Sequence, residues 1–298
     1  MTHDSANFKR GLYAVLLCYL IWGLFPLYWY PLNASPIAAD QLIAQRITWT
    51  GIFCLFLLAF TQHKHEFFRI ARQKKLAVLL SISAVCISIN WLVYLWAINN
   101  YHVLDASLGY FINPLANVLL GRLVLKENLN RWQGLAIVFA IAGILWLAIP
   151  AGQIPWVALA LAGSFSLYGL IRKIAPVGAA AGLAWESLIL MPFSVGYLAL
   201  CASQGNLVFG ELNALQLTVL IGSGVATAVP LLLYATAARL IPLSTIGMLQ
   251  YGSPTLQMLL GLMLFNERFD VNRFIGYAWV WLGVAVYVYG IYRQSKRT

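Results

Sequence analysis

The feature that most constrains this fold is an apolar run of about 20 residues, which recurs along the whole chain. Each run is long enough to cross a hydrocarbon core of about 30 Å as a helix. Lipid offers the backbone no hydrogen-bond partners, so each run is predicted to be α-helical. The ten runs span residues 8–29, 37–60, 76–98, 104–125, 132–149, 154–171, 179–201, 213–238, 243–265 and 273–292.

The composition supports an exterior that faces lipid. Hydrophobic residues make up 61% of the chain and charged residues only 9%, whereas soluble proteins carry roughly 25% charged residues. The connections between runs are short, and none is long enough for a separate soluble domain. The sequence therefore predicts an all-α integral membrane protein, in which residues 1–298 form a single transmembrane domain of ten helices.

The net charge of +10 is arranged for a membrane rather than for nucleic acid. If the N-terminus is cytoplasmic, the connections on that side hold most of the 19 lysines and arginines, including Arg172 and Lys173. The opposite side holds Arg268 and Arg273. This asymmetry follows the positive-inside rule and predicts that both termini are cytoplasmic. The basic stretch at 63–75 either anchors this topology or lies along the anionic leaflet surface.

The second half of the chain repeats the first at an offset of 140 residues. The recurring pairs are Pro114 and Pro254, Gly121 and Gly261, Glu127 and Glu267, Tyr94 and Tyr234, and Gly143 and Gly283. We therefore predict two five-helix repeats, residues 8–149 and residues 154–292. Because five is an odd number, the second repeat enters the membrane from the opposite side, and such inverted repeats are typical of alternating-access transporters.

Two charges lie deep within the predicted helices, Arg46 and, at the same offset of 140, Glu186. A charge near the bilayer centre costs about 2.5–3.5 kcal/mol on insertion scales, so each should face a cavity or a partner. Two interpretations stay open. In one, Arg46 and Glu186 form an ion pair, or each is satisfied separately by nearby polar groups. In the other, they line the transport path, where Arg46 attracts an anionic group and Glu186 exchanges a proton.

Polar residues form two stripes with identical spacing on the fourth and ninth helices. The stripes consist of Tyr110, Asn113 and Asn117, and of Gln250, Ser253 and Gln257. Further candidates on the third, first and sixth helices are Asn90, Tyr94, Trp22 and Tyr168. Residues at these spacings share one helix face, so both stripes should face inward and line a cavity for a small amphipathic molecule. The alternative is hydrogen bonding between helices, at about 0.6 kcal/mol per contact.

Pro114 and Pro254 each fall within a polar stripe. Proline removes a backbone hydrogen bond and kinks a helix, so we expect each residue to interrupt its helix. The kinks serve either gating or packing, and the sequence favours neither.

Several stretches resemble the RarD branch of the EamA-type drug/metabolite transporter superfamily, over about residues 8–292. These stretches are HVLDASLGYFINPLANVLLGRLVLKENL, IPWVALALAGSFSLYGLIRK and IPLSTIGMLQYGSPTLQMLLG. The resemblance implies a two-times-five helix fold in a bacterial inner membrane, and the label of a chloramphenicol-sensitivity protein. It also implies substrates among amino acids, drugs and metabolites. The small multidrug members use an acidic residue in helix one, which this chain lacks, so any proton coupling must use another residue.

These observations predict a secondary transporter that exports a small organic solute across the inner membrane, with protons as a candidate coupling ion. The chain has no GxxxxGK[ST] phosphate loop for ATP and no HExxH or GxSxG constellation, so we expect neither an enzyme nor a cofactor. The four cysteines lack metal-ligand spacing. The expected partners are the solute and the lipid bilayer. An importer or facilitator, or a receptor or scaffold that transports nothing, remains an alternative.

Overall fold

The computed structural model describes residues 2–100, 102–149, 156–264 and 271–295, and over these ranges the chain is helical without a strand. The α-helices of the N-terminal half are α1 Thr2–Gly23, α2 Phe25–Trp29, α3 Ala39–Phe60, α4 Lys64–Arg72, α5 Lys74–Asn99, α6 Val103–Leu123 and α7 Arg131–Ala148. Those of the C-terminal half are α8 Trp156–Ile174, α9 Ala179–Ser203, α10 Ala214–Leu240, α11 Leu243–Gln250, α12 Gly252–Leu264 and α13 Val271–Ser295. The predicted Glu267 and Arg268 lie outside the described residues.

Among the described residues, 7 helices are long and apolar enough to cross a membrane: α3, α5, α7, α8, α9, α10 and α13. The count reaches 8 if α1 and the bent segment that follows it through Leu32 form one span. The two remaining predicted spans correspond to α6 and to the pair α11 and α12. Helix α11 has 8 residues and α12 has 13, so neither is long enough alone to cross a bilayer, while the polar stripe of α6 lowers the mean hydropathy of that helix. The chain is thus an all-helical, multi-pass membrane protein.

The two stripe prolines have different effects on their helices. Pro114 lies inside α6, which continues without a break from Val103 to Leu123, so the prediction of an interruption there was wrong. Pro254 lies in the first turn of α12, directly after the break between α11 and α12 at Tyr251. A proline near a helix start costs no helical hydrogen bond, because the first N–H groups have no partner within the helix.

The basic stretch at 63–75 contains the short helix α4, which packs against the start of α9. The Glu66 carboxylate accepts the backbone N–H of Gly178 at 3.3 Å from both of its oxygens. The ring of Phe67 lies 5.6 Å from the ring of Trp185. A carboxylate at a helix N-terminus satisfies an orphan donor and complements the helix dipole. The stretch therefore joins two connections at one end of the bundle.

Glycines allow α7 and α13 to approach each other closely. A Cβ on Gly143 would lie 2.7 Å from the carbonyl oxygen of Gly276, and a Cβ on Gly283 would lie 2.8 Å from that of Ala136. Side chains at either position would force the helices apart, and small residues are the usual means of bringing membrane helices together. Each helix thus contributes one glycine and one backbone carbonyl to the same interface.

Other helices pack in a regular pattern around the centre of the bundle. Helix α3 packs against α9, and α6 packs against α11. Helix α1 contacts α10 and α12, while α8 contacts α5 and α6. A central core of buried residues from α1, α8, α9 and α10 surrounds Tyr168 and Tyr234, whose rings lie 6.0 Å apart. Trp22, Phe165 and Leu231 belong both to this core and to the lining of the cavity described next.

Candidate solute cavity

A cavity of about 500 Å³ lies between helices from both halves of the chain. The N-terminal half contributes residues of α1, α2, α3, α5 and α6, and the C-terminal half contributes residues of α8, α10, α11 and α12. Ligand pockets usually enclose about 300–1,000 Å³, so the space fits a small organic molecule. The cavity extends to the connection between α2 and α3, where the exposed Asn33 forms part of its lining.

Nine of the twelve site residues predicted from the sequence line this cavity. They are Trp22, Arg46, Asn90, Tyr94, Tyr110, Asn113, Gln250, Ser253 and Gln257. The other three lie deeper in the protein and do not reach the cavity. Asn117 is fully buried and donates to Gln250 Oε1 at 3.3 Å, while Tyr168 and Glu186 belong to a buried cluster nearer the opposite end.

Arg46 is the only charged residue among those that line the cavity. Its Nε donates to the hydroxyl of Thr227 at 3.3 Å. Its guanidinium carbon lies 5.2 Å from the ring centre of Trp29 and 5.5 Å from that of Trp91, which are cation–π distances. No described carboxylate lies within 4.0 Å of the guanidinium. Two indole rings therefore hold the cation in place without neutralising it.

The asparagines of the cavity wall use part of their hydrogen-bonding capacity to join helices. Asn90 on α5 donates to the Leu161 carbonyl at 2.9 Å and to the Ser164 hydroxyl at 3.2 Å, both on α8. Asn113 on α6 accepts the Ser166 hydroxyl at 2.6 Å. These side chains both line the cavity and bond to α8, so the two interpretations of the stripes, cavity wall and interhelical contact, describe the same residues.

The second stripe shows the same double use on the other side of the cavity. Ser253 donates to the Tyr19 carbonyl at 2.8 Å, and Gln257 Nε2 donates to the Trp22 carbonyl at 3.0 Å. Both acceptors lie on α1, so the polar stripe of α12 is fastened to the first helix. Ser253 and Gln257 thus line the cavity and also have hydrogen-bond partners in the apolar interior of the bundle.

Glu186 pairs with Arg172 and not with Arg46. Its Oε1 lies 3.5 Å from Arg172 Nη1 and accepts the Ser83 hydroxyl at 2.7 Å. Arg172 is 1% exposed and Glu186 2% exposed. The ion pair between Arg46 and Glu186 that the sequence left open is therefore absent. Arg172, which the sequence analysis counted among the basic residues of the cytoplasmic connections, lies in the last turn of α8, and its buried side chain donates to the Ala179 carbonyl at the start of α9.

Helix geometry explains why the two charges do not meet. Arg46 lies seven residues after the start of α3 at Ala39, and Glu186 lies seven residues after the start of α9 at Ala179. Each is thus about 10 Å from the beginning of its own helix. If α3 and α9 start at opposite membrane surfaces, equal depth places the two side chains on opposite sides of the midplane. The contacts between the two helices agree with this arrangement, since Thr48 on α3 bonds to Ser194 on α9, and Cys54 bonds to Ser187.

A thin apolar layer separates the Glu186 cluster from the cavity. A void of about 10 Å³, close to the space of one water molecule, is lined by Glu186 and Tyr168. Ile87, Trp91 and Leu231 line both this void and the large cavity. Within the described structure, neither Glu186 Oε2 nor the Tyr168 hydroxyl has a hydrogen-bond partner. The Glu186 cluster is therefore polar and closed, and a layer one side chain thick separates it from the cavity.

Sequence reasoning missed several residues of the site. Trp29, Trp91 and Thr227 hold Arg46, and Arg172 and Ser83 hold Glu186. Tryptophan and threonine are unremarkable in an apolar helix, so no local pattern singles them out. Arg172 sits at a helix end, where a basic residue ordinarily indicates topology. The one signal in the sequence that could have led to Arg172 is that a buried Glu186 requires a cationic partner.

The comparisons with known proteins assign the family. The sequence model of the EamA-like transporter family matches residues 9–149. An uncharacterized transporter of Pseudomonas aeruginosa is 40% identical over 98% of this chain and 98% of its own length. The chain belongs to the EamA-like transporter family. The RarD protein of Escherichia coli is 36% identical over 99% of each chain, which confirms the predicted resemblance to the RarD branch.

Two further matches extend the comparison. An uncharacterized transporter of Bacillus subtilis is 40% identical over 96% of both chains. A solved crystal structure superposes with a TM-score of 0.67 at 18% identity, covering 95% of this chain and 96% of that one. Identity this low supports the fold alone. As an EamA-like protein the chain is a multi-pass membrane transporter and not an enzyme, as the sequence predicted.

Proposed function

We propose that this protein is a secondary transporter that exports a small organic solute across the bacterial inner membrane by alternating access through the cavity. The observation that carries the proposal is a cavity of about 500 Å³ whose lining comes from both halves of the chain. A site between two structural repeats is accessible from either side of the membrane if the repeats rock against each other. Its apolar walls and few polar groups suit a small amphipathic molecule.

The packing of the helices supports two inverted repeats of five spans. We pair α1 with α8, α3 with α9, α5 with α10, α6 with α11–α12 and α7 with α13 as repeat partners. Under this pairing, a contact between two helices has a matching contact between their repeat partners. The contact of α1 with α10 corresponds to that of α8 with α5, and the contact of α1 with α12 corresponds to that of α8 with α6. The glycine contacts between α7 and α13 also exchange, since Gly143 and Gly283, and Ala136 and Gly276, are both 140 residues apart.

The two ends of the bundle differ in a way that fits one state of such a cycle. The cavity reaches the connection between α2 and α3, which the charge distribution assigns to the outer side. The cluster around Glu186 is buried toward the other end. In the opposite state, exchange of the two repeat conformations would close the cavity at Arg46 and open the Glu186 cluster to the cytoplasm. Ile87, Trp91 and Leu231 form the barrier that must move.

Flux measurements with the purified protein in proteoliposomes test the proposal. The panel of radiolabelled probes comprises phenylalanine, chloramphenicol and 3-phenylpropionate. We expect flux of at least one probe, and Leu42→Trp, which fills the cavity lining, should lower it about tenfold or more. The matched control is Leu55→Trp, which changes a lipid-exposed leucine of the same helix and should leave flux unchanged. Equal flux in both variants would show that the solute does not use this cavity.

We further propose that Glu186 is the coupling residue, because its second carboxylate oxygen is unpartnered and only a thin apolar layer separates it from the cavity. Glu186→Gln keeps the size of the side chain but cannot exchange a proton. Removing one member of a buried ion pair costs about 3–5 kcal/mol, so the test also uses the double variant Glu186→Gln with Arg172→Gln.

We expect both variants to lose accumulation driven by a pH gradient while keeping solute exchange between equal concentrations. The control Glu211→Gln, at an exposed position, should behave as the wild type. Gradient-driven accumulation that survives in the double variant would remove Glu186 from the coupling mechanism and leave transport itself untouched.

A further inference from the structure

The geometry points to an organic anion as the substrate class, with its carboxylate or other oxyanion bound by Arg46; this inference rests on the proposed transport function of the cavity. The first supporting observation is the charge of the lining. Arg46 is the only charged residue among those that line the cavity, and none of the lining residues is acidic. A cation that faces a pocket of apolar walls therefore has no counter-ion from the described lining.

The described acids nearest in sequence or fold are already engaged elsewhere. Glu186 is paired with Arg172 behind the apolar layer. Asp40, one turn and a half before Arg46 on α3, accepts the hydroxyl of Tyr197 on α9. An uncompensated charge at membrane depth is unfavourable, and a ligand that supplies the opposite charge offsets much of that cost. The cavity thus binds an anion more favourably than a neutral isostere.

The hydrogen bond of Arg46 leaves both terminal nitrogens of its guanidinium available to a ligand. Only Nε is used, in the bond to the Thr227 hydroxyl. The two terminal nitrogens make no hydrogen bond to any described residue, and these form the fork that binds a carboxylate or phosphate in a bidentate manner. The rings of Trp29 and Trp91 restrict the guanidinium from two directions, so little conformational entropy remains to be lost when an anion binds.

The rest of the cavity indicates what is attached to the anionic group. Trp22 and Phe165 pack edge to face with ring centres 5.6 Å apart and line the cavity together with Phe25 and Pro26. Such walls favour an apolar body with few hydrogen-bonding groups. Tyr110, whose ring centre lies 5.9 Å from that of Tyr94, also lines the cavity and adds a hydroxyl to its wall. The predicted ligand is therefore amphipathic: one negative group at Arg46 and an apolar part against the aromatic wall.

Thermal unfolding of the purified full-length protein with matched probes tests this inference, because a ligand that binds the native state raises Tm by mass action. The probes are 3-phenylpropionate, its neutral amide, the cationic 3-phenylpropylammonium, and 2-phenylethylphosphonate as a second oxyanion. We expect both anions to raise Tm and to bind at least about tenfold more tightly than the amide, since a bidentate charged contact is lost in the amide. Binding of the phosphonate alone would narrow the class to phosphorylated or phosphonate solutes.

Two variants locate the effect. Arg46→Gln should abolish the preference for anions over the amide, and Arg46→Lys should retain part of it. The matched control is Arg239→Gln, which removes an exposed arginine outside the cavity and should keep the full preference.

If the wild-type protein binds the amide or the cation as tightly as the anions, the inference is overturned, whatever the stability of the variants. An anion preference that persists in Arg46→Gln also overturns it. These outcomes are separate from those of the proposed function: flux through the cavity of a neutral probe but of no anion would support transport while refuting the anion, and anion binding without any flux would do the reverse.

Discussion

At the scale of single residues, the depth of a charged group within its helix does not determine its chemical environment. Arg46 and Glu186 each lie seven residues after the start of their helices, α3 and α9, yet one lies on the wall of an open cavity and the other in a closed cluster. Arg46 is accommodated here by the indole rings of Trp29 and Trp91 rather than by a carboxylate. Glutamate instead relies on a cation and a hydroxyl, Arg172 and Ser83.

A prediction at this scale concerns Glu127, which caps α11. Its carboxylate accepts the backbone N–H of Leu243 at 2.7 Å and both the N–H and the hydroxyl of Ser244 at 3.0 and 2.7 Å. Glu127→Ala removes all three bonds and the favourable charge at a helix N-terminus, so we expect a loss of about 1–2 kcal/mol. The Tm should fall by about 3 °C or more. Glu211→Ala, at an exposed glutamate, is the control, and an equal fall there would refute the capping role.

At the scale of helices, the interface between α7 and α13 depends on glycine. The carbonyl of Gly276 lies 2.7 Å from the position of a Cβ on Gly143, whereas a Cβ on Gly134 of the same helix would have nothing within 4 Å. Gly143→Ala should therefore separate the helices and lower the Tm. Gly134→Ala should leave the Tm unchanged or raise it, because alanine favours a helix by about 1 kcal/mol over glycine. Equal effects at the two positions would contradict close packing at Gly143.

The sequence predicted the helices well where hydrophobicity alone determines them, and less well where polar groups intervene. The apolar runs at α3, α5 and α9 correspond closely to the helices observed. The break at Tyr251 was displaced from the expected kink at Pro254 by three residues, because proline is compatible with the first turn of a new helix. The inward orientation of the polar stripes was predictable, since lipid excludes such stripes; their exact hydrogen-bond partners on α1 and α8 depend on tertiary packing.

The site was predictable in composition but not in pairing. Periodicity identified Asn113 and Gln250 as cavity residues, because helical spacing fixes which side chains share a face. Periodicity gave no information on which cation lies beside Glu186. Arg172 lies in the last turn of α8 and Glu186 lies on α9, so helical spacing does not relate the two residues. Charge pairing across helices is a property of the assembled bundle, so it follows from the fold and not from local sequence.

At the scale of the whole molecule, we propose that two repeats exchange conformations around one cavity. The present structure has the cavity reaching the α2–α3 connection and the Glu186 cluster closed. A transporter that alternates must therefore expose these two regions at different times and to opposite sides. Binding of a solute shifts this equilibrium only if the solute binds one state better than the other.

Cysteine accessibility in sided membrane vesicles measures this exchange most directly. The four native cysteines, all buried, are replaced by alanine, and single cysteines are introduced by Ser253→Cys in the cavity lining and Ser187→Cys beside the Glu186 cluster. A membrane-impermeant thiol reagent is then applied from one side at a time. We expect labelling of position 253 from outside and of position 187 from the cytoplasm, with a bound solute raising one labelling rate as it lowers the other. Labelling of both positions from the same side, or rates that rise together, would contradict this exchange.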